Sequence, residues 1–345
     1  MLRAIKIAVS GVGLVLISEK QKAILALLSD GQFHSGSELA NVLKISRSAV
    51  WKQLGSLADL GLPYSAISGK GYRLERPLEL LAENEIVESI DAKIKSLINE
   101  IEIFDQIPST NTYLMERNHD NAASGTVCLA EQQSAGRGRR GRQWVSPFGC
   151  NIYMSILWRF QTSPMAISGL SLVIGIAVIR VLQCQYGDIF QLKWPNDIYC
   201  KGKKLGGILV EVSGESEGPC AAVIGLGLNI YLPETAAAEI TQQWTDLCKI
   251  TGQQCHDRNA LVGELLNQLL PLISEFEKVG VASYLDEWRQ YDCLKDKPAT
   301  LHIGQHSYQG IVKGIDDQGL LLLTKPDGNT QAYASGEVSF RGDIV

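Results

Sequence analysis

The chain has 345 residues, of which 45% are hydrophobic, so it is long enough for a sizeable buried core and for two or three domains. Its formal net charge of −5 excludes a generally basic protein that coats nucleic acid. Charge is uneven, because residues 1–75 carry nine Lys and Arg against five Asp and Glu, so a local nucleic-acid contact near the amino-terminal end stays open.

Residues 1–16 form a short apolar stretch with two basic residues, Arg3 and Lys6, and superficially resemble a secretory signal. The stretch has no clear small-x-small cleavage site and is too short to span a bilayer. The eight cysteines form no C-x-x-C pair and no metal-binding spacing, which is typical of free thiols in a reducing cytosol. We expect a cytoplasmic protein with no membrane segment and no protein-held metal, whose first residues are a loosely attached extension or reflect an upstream start codon.

A helix-turn-helix unit is predicted next. Helical spacing of apolar residues marks residues 19–28, Ser35 is a candidate cap for a second helix, and a third helix is predicted over residues 47–60. Two short strand-like runs then flank a turn that ends in Lys70, which predicts a β-hairpin with a basic tip. Three helices followed by such a hairpin make a winged helix, which we place at residues 17–82.

The third helix is predicted to be the recognition helix of this unit. Polar, basic and aromatic residues near its start, on its outer face and at the tip of the wing could reach base edges and phosphates. They are Ser46, Arg47, Ser48, Trp51, Lys52 and Lys70. Small helical domains also mediate protein contacts, but the cap, spacing, turn and basic wing together favour DNA binding, as a dimer.

After the winged helix the pattern becomes mixed α and β. Strand-like runs at 101–104, 126–130, 151–157, 205–212 and 221–229 alternate with helices near 109–117, 164–186 and 257–279. Several strands follow one another closely, so antiparallel pairing is favoured over a doubly wound sheet. We assign residues 83–295 to a central mixed α/β domain.

Residues 136–141 of this domain read Gly-Arg-Gly-Arg-Arg-Gly, which places three guanidinium groups between three glycines. Glycines let backbone amides approach a ligand, and arginines offer charge and planar forks to phosphate or carboxylate oxygens. The string also fits the dinucleotide-binding pattern, but that pattern requires a following helix, and here a Pro/Gly-punctuated stretch and a β-prone run follow. The loop alone leaves two interpretations: a binding loop for a small acidic or phosphate-bearing molecule, or an ordinary solvated basic loop.

Three further segments combine with this arginine loop. Ser109-Thr110-Asn111 places short polar side chains at a helix start, Lys193-Trp-Pro-Asn-Asp197 crowds a cation and an Asn-Asp pair into one bend, and Lys204-Leu-Gly-Gly207 places a lysine before two glycines. Such a grouping is unusual for solvated loops.

The carboxyl-terminal residues 296–345 form the last predicted unit. Short strands are predicted at 299–303, 308–315, 320–323 and 330–333, with frequent turns between them. This pattern is typical of a small SH3-like barrel.

In this combination, order and approximate spacing, the chain resembles the bifunctional biotin protein ligases that double as biotin operon repressors, the BirA family. The resemblance also rests on the Gly225-Leu-Gly-Leu-Asn229 turn, and it covers nearly the whole chain from Ile17. It implies an α+β multidomain fold: a winged helix-turn-helix, a central ligase domain like that of class II synthetases, and the SH3-like barrel.

The same resemblance implies what the protein does. ATP and biotin would give biotinyl-5′-AMP, with Mg²⁺ accompanying ATP, and biotin would pass to a lysine of the biotin carboxyl carrier protein of acetyl-CoA carboxylase. With the adenylate bound, a homodimer would bind operator DNA and repress biotin biosynthesis genes.

Residue roles carry over by position in the matching motifs. Biotin binding is implied for Ser109, Thr110, Asn111, Gln133, Arg137, Gly138, Arg139, Lys204 and Gly207. Nucleotide binding is implied for Trp144, Lys193, Asn196 and Asn229, with Trp144 stacking on adenine. Lys204 and Arg139 are implied to be catalytic, Lys204 by bridging carboxylate and α-phosphate oxygens and Arg139 by retaining the adenylate. Asp197 is expected only to fix its bend.

A second interpretation stays open: a metabolite-sensing transcriptional repressor whose central domain performs no chemistry. Lys204, Arg139 and the Trp-Pro-Asn-Asp segment favour the ligase, because a sensor would not need groups on the ATP side. Lipoate attachment on a related fold is disfavoured by the intact arginine loop.

Overall fold

The computed structural model describes residues 17–253 and 256–340 of the chain. The predicted extension at residues 1–16, Cys255 and the last five residues of the predicted barrel lie outside this part. Three units follow one another: a helical unit with a hairpin, a unit built on a seven-stranded sheet, and a five-stranded sheet. No helix in the described ranges is both long and apolar enough to cross a membrane.

The amino-terminal unit has the predicted winged-helix order. Its elements are α1 (Glu19–Leu28), α2 (Gly36–Leu43), α3 (Arg47–Asp59), β1 (Tyr64–Ile67) and β2 (Gly71–Leu74). Ser18 and Ser35 each begin a helix with a reciprocal capping box, which satisfies backbone N–H groups that have no partner inside the helix. Lys44 ends α2 in the left-handed conformation, with φ of 53°, and so makes the sharp turn into α3.

The central unit is built on a seven-stranded sheet. Its strands are β3 (Glu100–Ile107), β4 (Thr126–Gln133), β5 (Ile152–Phe160), β6 (Phe190–Lys193), β7 (Asp197–Cys200), β8 (Lys203–Gly214) and β9 (Cys220–Leu228). They lie in the order β3-β4-β5-β9-β8-β7-β6, and every pair is antiparallel except β3 with β4. The predicted antiparallel sheet is therefore confirmed, with one parallel pair. The β6–β7 hairpin was predicted only as a bend, because four-residue strands are too short to show alternation.

Helices cover both faces of this sheet. They are α4 (Glu83–Glu88), α5 (Thr110–His119), α6 (Leu170–Tyr186), α7 (Leu247–Thr251), α8 (Arg258–Val279) and α9 (Leu285–Tyr291). Alternate residues of β4 divide between the faces: Cys128 packs with α5, whereas Val127 and Leu129 pack with α6 and α8. The predicted start of α6 at residue 164 was wrong, because Gly169, with φ of 84°, lies outside a right-handed helix.

The carboxyl-terminal unit is a five-stranded antiparallel sheet. Its strands are β10 (Pro298–Ile303), β11 (His306–Ile315), β12 (Leu321–Thr324), β13 (Thr330–Tyr333) and β14 (Glu337–Phe340), in the order β13-β12-β11-β10-β14. Its β-rich character is confirmed, although β14 was not predicted, and closure into an SH3-like barrel stays a prediction. Trp194, from the bend before β7, is 3% exposed and donates from Nε1 to the carbonyl of Gly319 at 3.0 Å, which ties this sheet to the central unit.

A buried ion pair holds the linker between the first two units. Arg258 Nη2 lies 2.9 Å from Glu131 Oε2, and both side chains are 3% exposed. The other oxygen of Glu131 accepts from the backbone N–H of Leu81 at 2.5 Å. Burial raises the pKa of Glu79, whose carboxylate accepts from the backbone N–H of Arg258, to about 7. These contacts fix the linker residues Glu79 and Leu81 to the start of α8. Removal of either Arg258 or Glu131 would leave a buried charge without its partner, which is strongly destabilising.

The segment that follows the arginine loop packs into the winged helix through Phe148. Phe148 is 1% exposed and belongs to the same apolar cluster as Leu28, Leu74 and Leu78. The backbone at Gly149 approaches closely, since a Cβ there would lie 2.4 Å from Leu78 Cδ1. One segment of the central unit thus contributes to the core of the amino-terminal unit.

Candidate functional site

A pocket opens where α5 begins and where the arginine loop, the β6–β7 hairpin and the start of β8 meet. All of the residues predicted for biotin or nucleotide binding line it: Ser109, Thr110, Asn111, Gln133, Arg137, Gly138, Arg139, Trp144, Lys193, Asn196, Lys204, Gly207 and Asn229. The lining also includes Gly336, Glu337 and Val338 of the carboxyl-terminal sheet, which sequence reasoning missed. They lie about two hundred residues from the arginine loop, and no local signal connects them to it.

The start of α5 forms a buried polar corner of the pocket. Ser109 is the helix cap and accepts from the backbone N–H of Thr112 at 3.4 Å. Gln133, at the end of β4, accepts from the backbone N–H and the hydroxyl of Thr110 at 2.9 and 3.2 Å. It donates from Nε2 to the hydroxyl of Ser146 at 3.1 Å. These neutral donors and acceptors suit a small polar group that is itself uncharged.

Asn111 is held on three sides in the same corner. Its Oδ1 lies 2.6 Å from the hydroxyl of Ser155, and its Nδ2 donates to the carbonyl of Leu209 at 3.2 Å and to Glu211 at 3.0 Å. Gly225 allows this approach, because a Cβ there would lie 2.1 Å from Asn111 Oδ1. Neither Ser155 nor Glu211 was among the predicted site residues.

Lys204 forms an ion pair that was not predicted. Its Nζ lies 2.8 Å from Asp197 Oδ1, and the two side chains are 19% and 16% exposed. It also lies 5.6 Å from the centre of the Trp144 ring. Asp197 was expected only to fix its bend, but the structure shows that it also holds the predicted catalytic lysine. The only sequence feature that could have indicated this role of Asp197 was its position directly after the predicted site residue Asn196.

Arg139 is partly buried, so the arginine loop is not an ordinary solvated loop. Its Nη1 donates to Asn196 Oδ1 at 3.0 Å and to the carbonyl of Gly336 at 3.4 Å. Burial lowers the pKa of its guanidinium from the usual value. A positive charge held in this way is oriented in advance toward an anion that enters the pocket.

Arg140 of the loop and Arg142, just after it, contact the carboxyl-terminal sheet. Arg140 donates to the carbonyl of His302 at 3.0 Å, and Arg142 forms an ion pair with Glu337. This sheet therefore holds the arginine loop from outside.

Trp144 lies on glycines of the sheet. A Cβ at Gly227 would lie 2.5 Å from the indole, and one at Gly207 would lie 3.4 Å from it. Its Nε1 is buried and has no hydrogen-bond partner among the residues that the structure describes. The structure thus places Trp144 inside the pocket, and its predicted stacking on adenine stays a prediction.

Lys193 and Asn229 are buried at the wall of the pocket. Lys193 Nζ donates to the hydroxyl of Tyr199 at 3.1 Å, and Asn229 Nδ2 donates to the carbonyl of Thr245 at 3.1 Å. Hydrogen bonds within the protein thus fix the positions of both side chains at the pocket wall.

The predicted DNA-binding residues lie on the surface of the winged helix. All six are exposed, namely Ser46, Arg47, Ser48, Trp51, Lys52 and Lys70. Trp51 is 67% exposed, which is unusual for the largest apolar side chain, and Ser46 accepts from the backbone N–H of Ala49 at 3.2 Å at the start of α3. The arrangement can present a helix start and a basic wing to a DNA groove.

Three family models match the chain, each on one of its units. A model described as HTH domain matches residues 20–73. The biotin/lipoate A/B protein ligase family matches residues 103–229, and the biotin protein ligase C terminal domain matches residues 299–341.

Similar proteins cover nearly the whole chain. The bifunctional ligase/repressor BirA of Escherichia coli is 40% identical over 92% of this chain and 96% of its own length. The protein of the same name from Bacillus spizizenii is 30% identical over 92% and 98%. A solved structure, the biotin protein ligase of Aquifex aeolicus in complex with biotin and ATP, has a TM-score of 0.60 and 28% identity, covering 71% of this chain and 99% of that one. This chain therefore belongs to the family of bifunctional biotin protein ligases and biotin operon repressors.

Proposed function

We propose that the protein joins biotin to ATP to form biotinyl-5′-AMP and then transfers biotin to a lysine of the biotin carboxyl carrier protein. The observation that carries this proposal is that one pocket combines a neutral polar corner with two cations. The cations are Arg139, which bonds to Asn196, and Lys204, which pairs with Asp197. The corner suits a ureido ring, and the cations suit carboxylate and phosphate oxygens.

In the first step a biotin carboxylate oxygen attacks the α-phosphorus of ATP, the bond to the β-phosphate breaks, and pyrophosphate leaves. Negative charge builds up on the α-phosphate oxygens. We propose that Lys204, held by Asp197, stabilises that charge, and that Arg139 retains the adenylate. Mg²⁺ would arrive with ATP, held by phosphate oxygens and water.

In the second step the ε-amine of the carrier lysine attacks the acyl carbon of the mixed anhydride. The C–O bond to AMP breaks, AMP leaves with the electron pair, and the amine loses a proton to water. The protein mainly positions the two reactants, which is an effective form of catalysis for acyl transfer.

We propose that the site divides into a biotin side and a nucleotide side, as the family resemblance implies. The biotin side takes the residues of the polar corner and the first part of the arginine loop, and the nucleotide side takes Trp144, Lys193, Asn196 and Asn229. We also propose the domain bounds 17–82, 83–295 and 296–345, and a cytoplasmic protein.

Mass spectrometry of a carrier-protein fragment tests the ligase. The fragment is incubated with this protein, biotin and Mg·ATP, and we expect a mass gain of one biotin that disappears when ATP is omitted. Absence of the gain with a carrier that another biotin ligase modifies would favour the sensor, which binds a metabolite without chemistry.

We further propose that the adenylate-bound protein, as a homodimer, binds operator DNA through the winged helix and represses biotin biosynthesis genes. Fluorescence anisotropy with duplexes from upstream of those genes tests this, with and without biotin and ATP.

Lys52→Ala should weaken DNA binding and lower its salt dependence by about one counterion. Lys278→Ala removes an equal charge from an exposed site on α8 and should have no effect, and equal losses for both variants would contradict the assignment.

A further inference from the structure

Glu211 contacts two predicted biotin-binding residues at once. It lies on β8, four residues after Gly207, and its side chain is 22% exposed. Its Oε1 lies 2.9 Å from Arg137 Nη2. Its Oε2 accepts from Arg137 Nη1 at 3.2 Å and from Asn111 Nδ2 at 3.0 Å. The two parallel contacts to the guanidinium have the fork geometry that fixes an arginine in one orientation.

The partners of Asn111 show that Glu211 orients this amide. Carboxylate and carbonyl oxygens only accept, so the edge of Asn111 that faces Glu211 and Leu209 must be its NH₂ group. Both protons of that group are therefore used within the protein. The opposite edge accepts from the hydroxyl of Ser155. Asn111 thus shapes the polar corner of the pocket and has no spare proton for a ligand.

Arg137 is held at the point where the arginine loop enters the pocket. Its backbone pairs with Gln143 in an isolated bridge that closes the loop on itself. Apart from Glu211, its side chain contacts the hydroxyl of Thr112 at 3.4 Å. Because the Arg137 side chain is 47% exposed, the ion pair contributes orientation more than stability. Both Nη atoms of this guanidinium thereby contact Glu211, whereas the bonds of Arg139 to Asn196 and Gly336 start from Nη1 alone.

We propose that Glu211 is a positioning residue for the biotin subsite: its carboxylate clamps Arg137 and orients Asn111, so that the arginine loop and the polar corner keep one arrangement. This inference rests on the proposed ligase function and deepens it. In this proposal Arg137 maintains the shape of the biotin subsite, whereas Arg139 and Lys204 supply the positive charge for the reacting oxygens.

Steady-state kinetics of the full-length protein test this assignment. Glu211→Ala should raise the KM for biotin about tenfold, equivalent to about 1.4 kcal/mol, and change kcat and the KM for ATP by less than about twofold. Glu211→Gln keeps the shape and one acceptor for Asn111 but loses the charge on the fork, so an intermediate rise is expected. Glu217→Gln, in the exposed turn between β8 and β9, is the matched control and should leave all three constants unchanged.

A double-mutant cycle shows whether Glu211 acts through Arg137. In an Arg137→Ala background, Glu211→Ala should raise the KM for biotin by clearly less than its tenfold effect in the unaltered protein, because the clamp is already lost and only the contact to Asn111 remains. Multiplying effects, or an unchanged KM in Glu211→Ala, would overturn the proposal. If the unaltered protein transfers no biotin, the proposed ligase fails instead, and calorimetric titration of biotin into the same variants still decides the role of Glu211. Circular dichroism of Glu211→Gln confirms that the fold survives.

Discussion

Lys204→Ala is expected to lower the rate of adenylate formation by about 10²- to 10³-fold, the loss typical for removal of one preorganised group that stabilises transition-state charge. Lys204 lies on β8, and Asp197 holds its Nζ at 2.8 Å, so the protein itself fixes the position of this cation in the pocket. The variant also leaves Asp197 without this partner, and an uncompensated carboxylate near incoming phosphates repels them. Pyrophosphate release in a single turnover with biotin and Mg·ATP measures the effect.

Lys203 provides a matched control for this variant. It is the adjacent lysine at the start of the same strand and is exposed. Lys203→Ala should keep the rate of the unaltered protein, whereas Asp197→Asn should lower it less than Lys204→Ala, since the lysine remains but loses its anchor. A Lys204→Ala variant that retained half of the rate would show that the α-phosphate charge is stabilised elsewhere.

Phe148→Ala is expected to destabilise the winged helix by about 3–5 kcal/mol, the usual cost of removing a fully buried phenyl ring. The ring is 1% exposed in the cluster that includes Leu28 and Leu78, and Gly149 fixes the backbone beside it against Leu78. The lost ring leaves a cavity at the junction, because the neighbouring linker is held by the buried Arg258–Glu131 pair and cannot collapse into it. Urea unfolding, followed by circular dichroism, measures the change in the free energy of unfolding.

Two further variants provide reference values for the loss of unfolding free energy in Phe148→Ala. Phe148→Leu keeps most of the apolar volume and should cost clearly less than Phe148→Ala. Met165→Ala alters an apolar side chain that is 84% exposed and should change the unfolding free energy by no more than about 0.5 kcal/mol. A loss below about 1 kcal/mol for Phe148→Ala would show that the segment after the arginine loop does not contribute to the core of the winged helix.

Local signals in the chain were sufficient for much of this molecule. The cap Ser35 was recognisable before its helix because a capping hydrogen bond spans only three residues, so a short stretch of sequence contains both partners. The arginine loop and the Trp-Pro-Asn-Asp segment were recognisable by their composition, and the structure brings all the predicted ligand-binding residues to one pocket. Short elements such as β6 and β7 were missed because four residues carry too little periodicity.

The sequence by itself therefore determined the order of the units, most of their elements and the residue types that face the pocket. Only the tertiary structure decided which of those residues hold each other: Asp197 with Lys204, Glu211 with Arg137, and Phe148 with the winged helix. These pairs join segments that are distant along the chain or lie on different strands, and their formation depends on sheet register and on packing between units. The periodicity of a local stretch encodes neither the sheet register nor the packing between units, because both depend on how the whole chain buries its apolar surface.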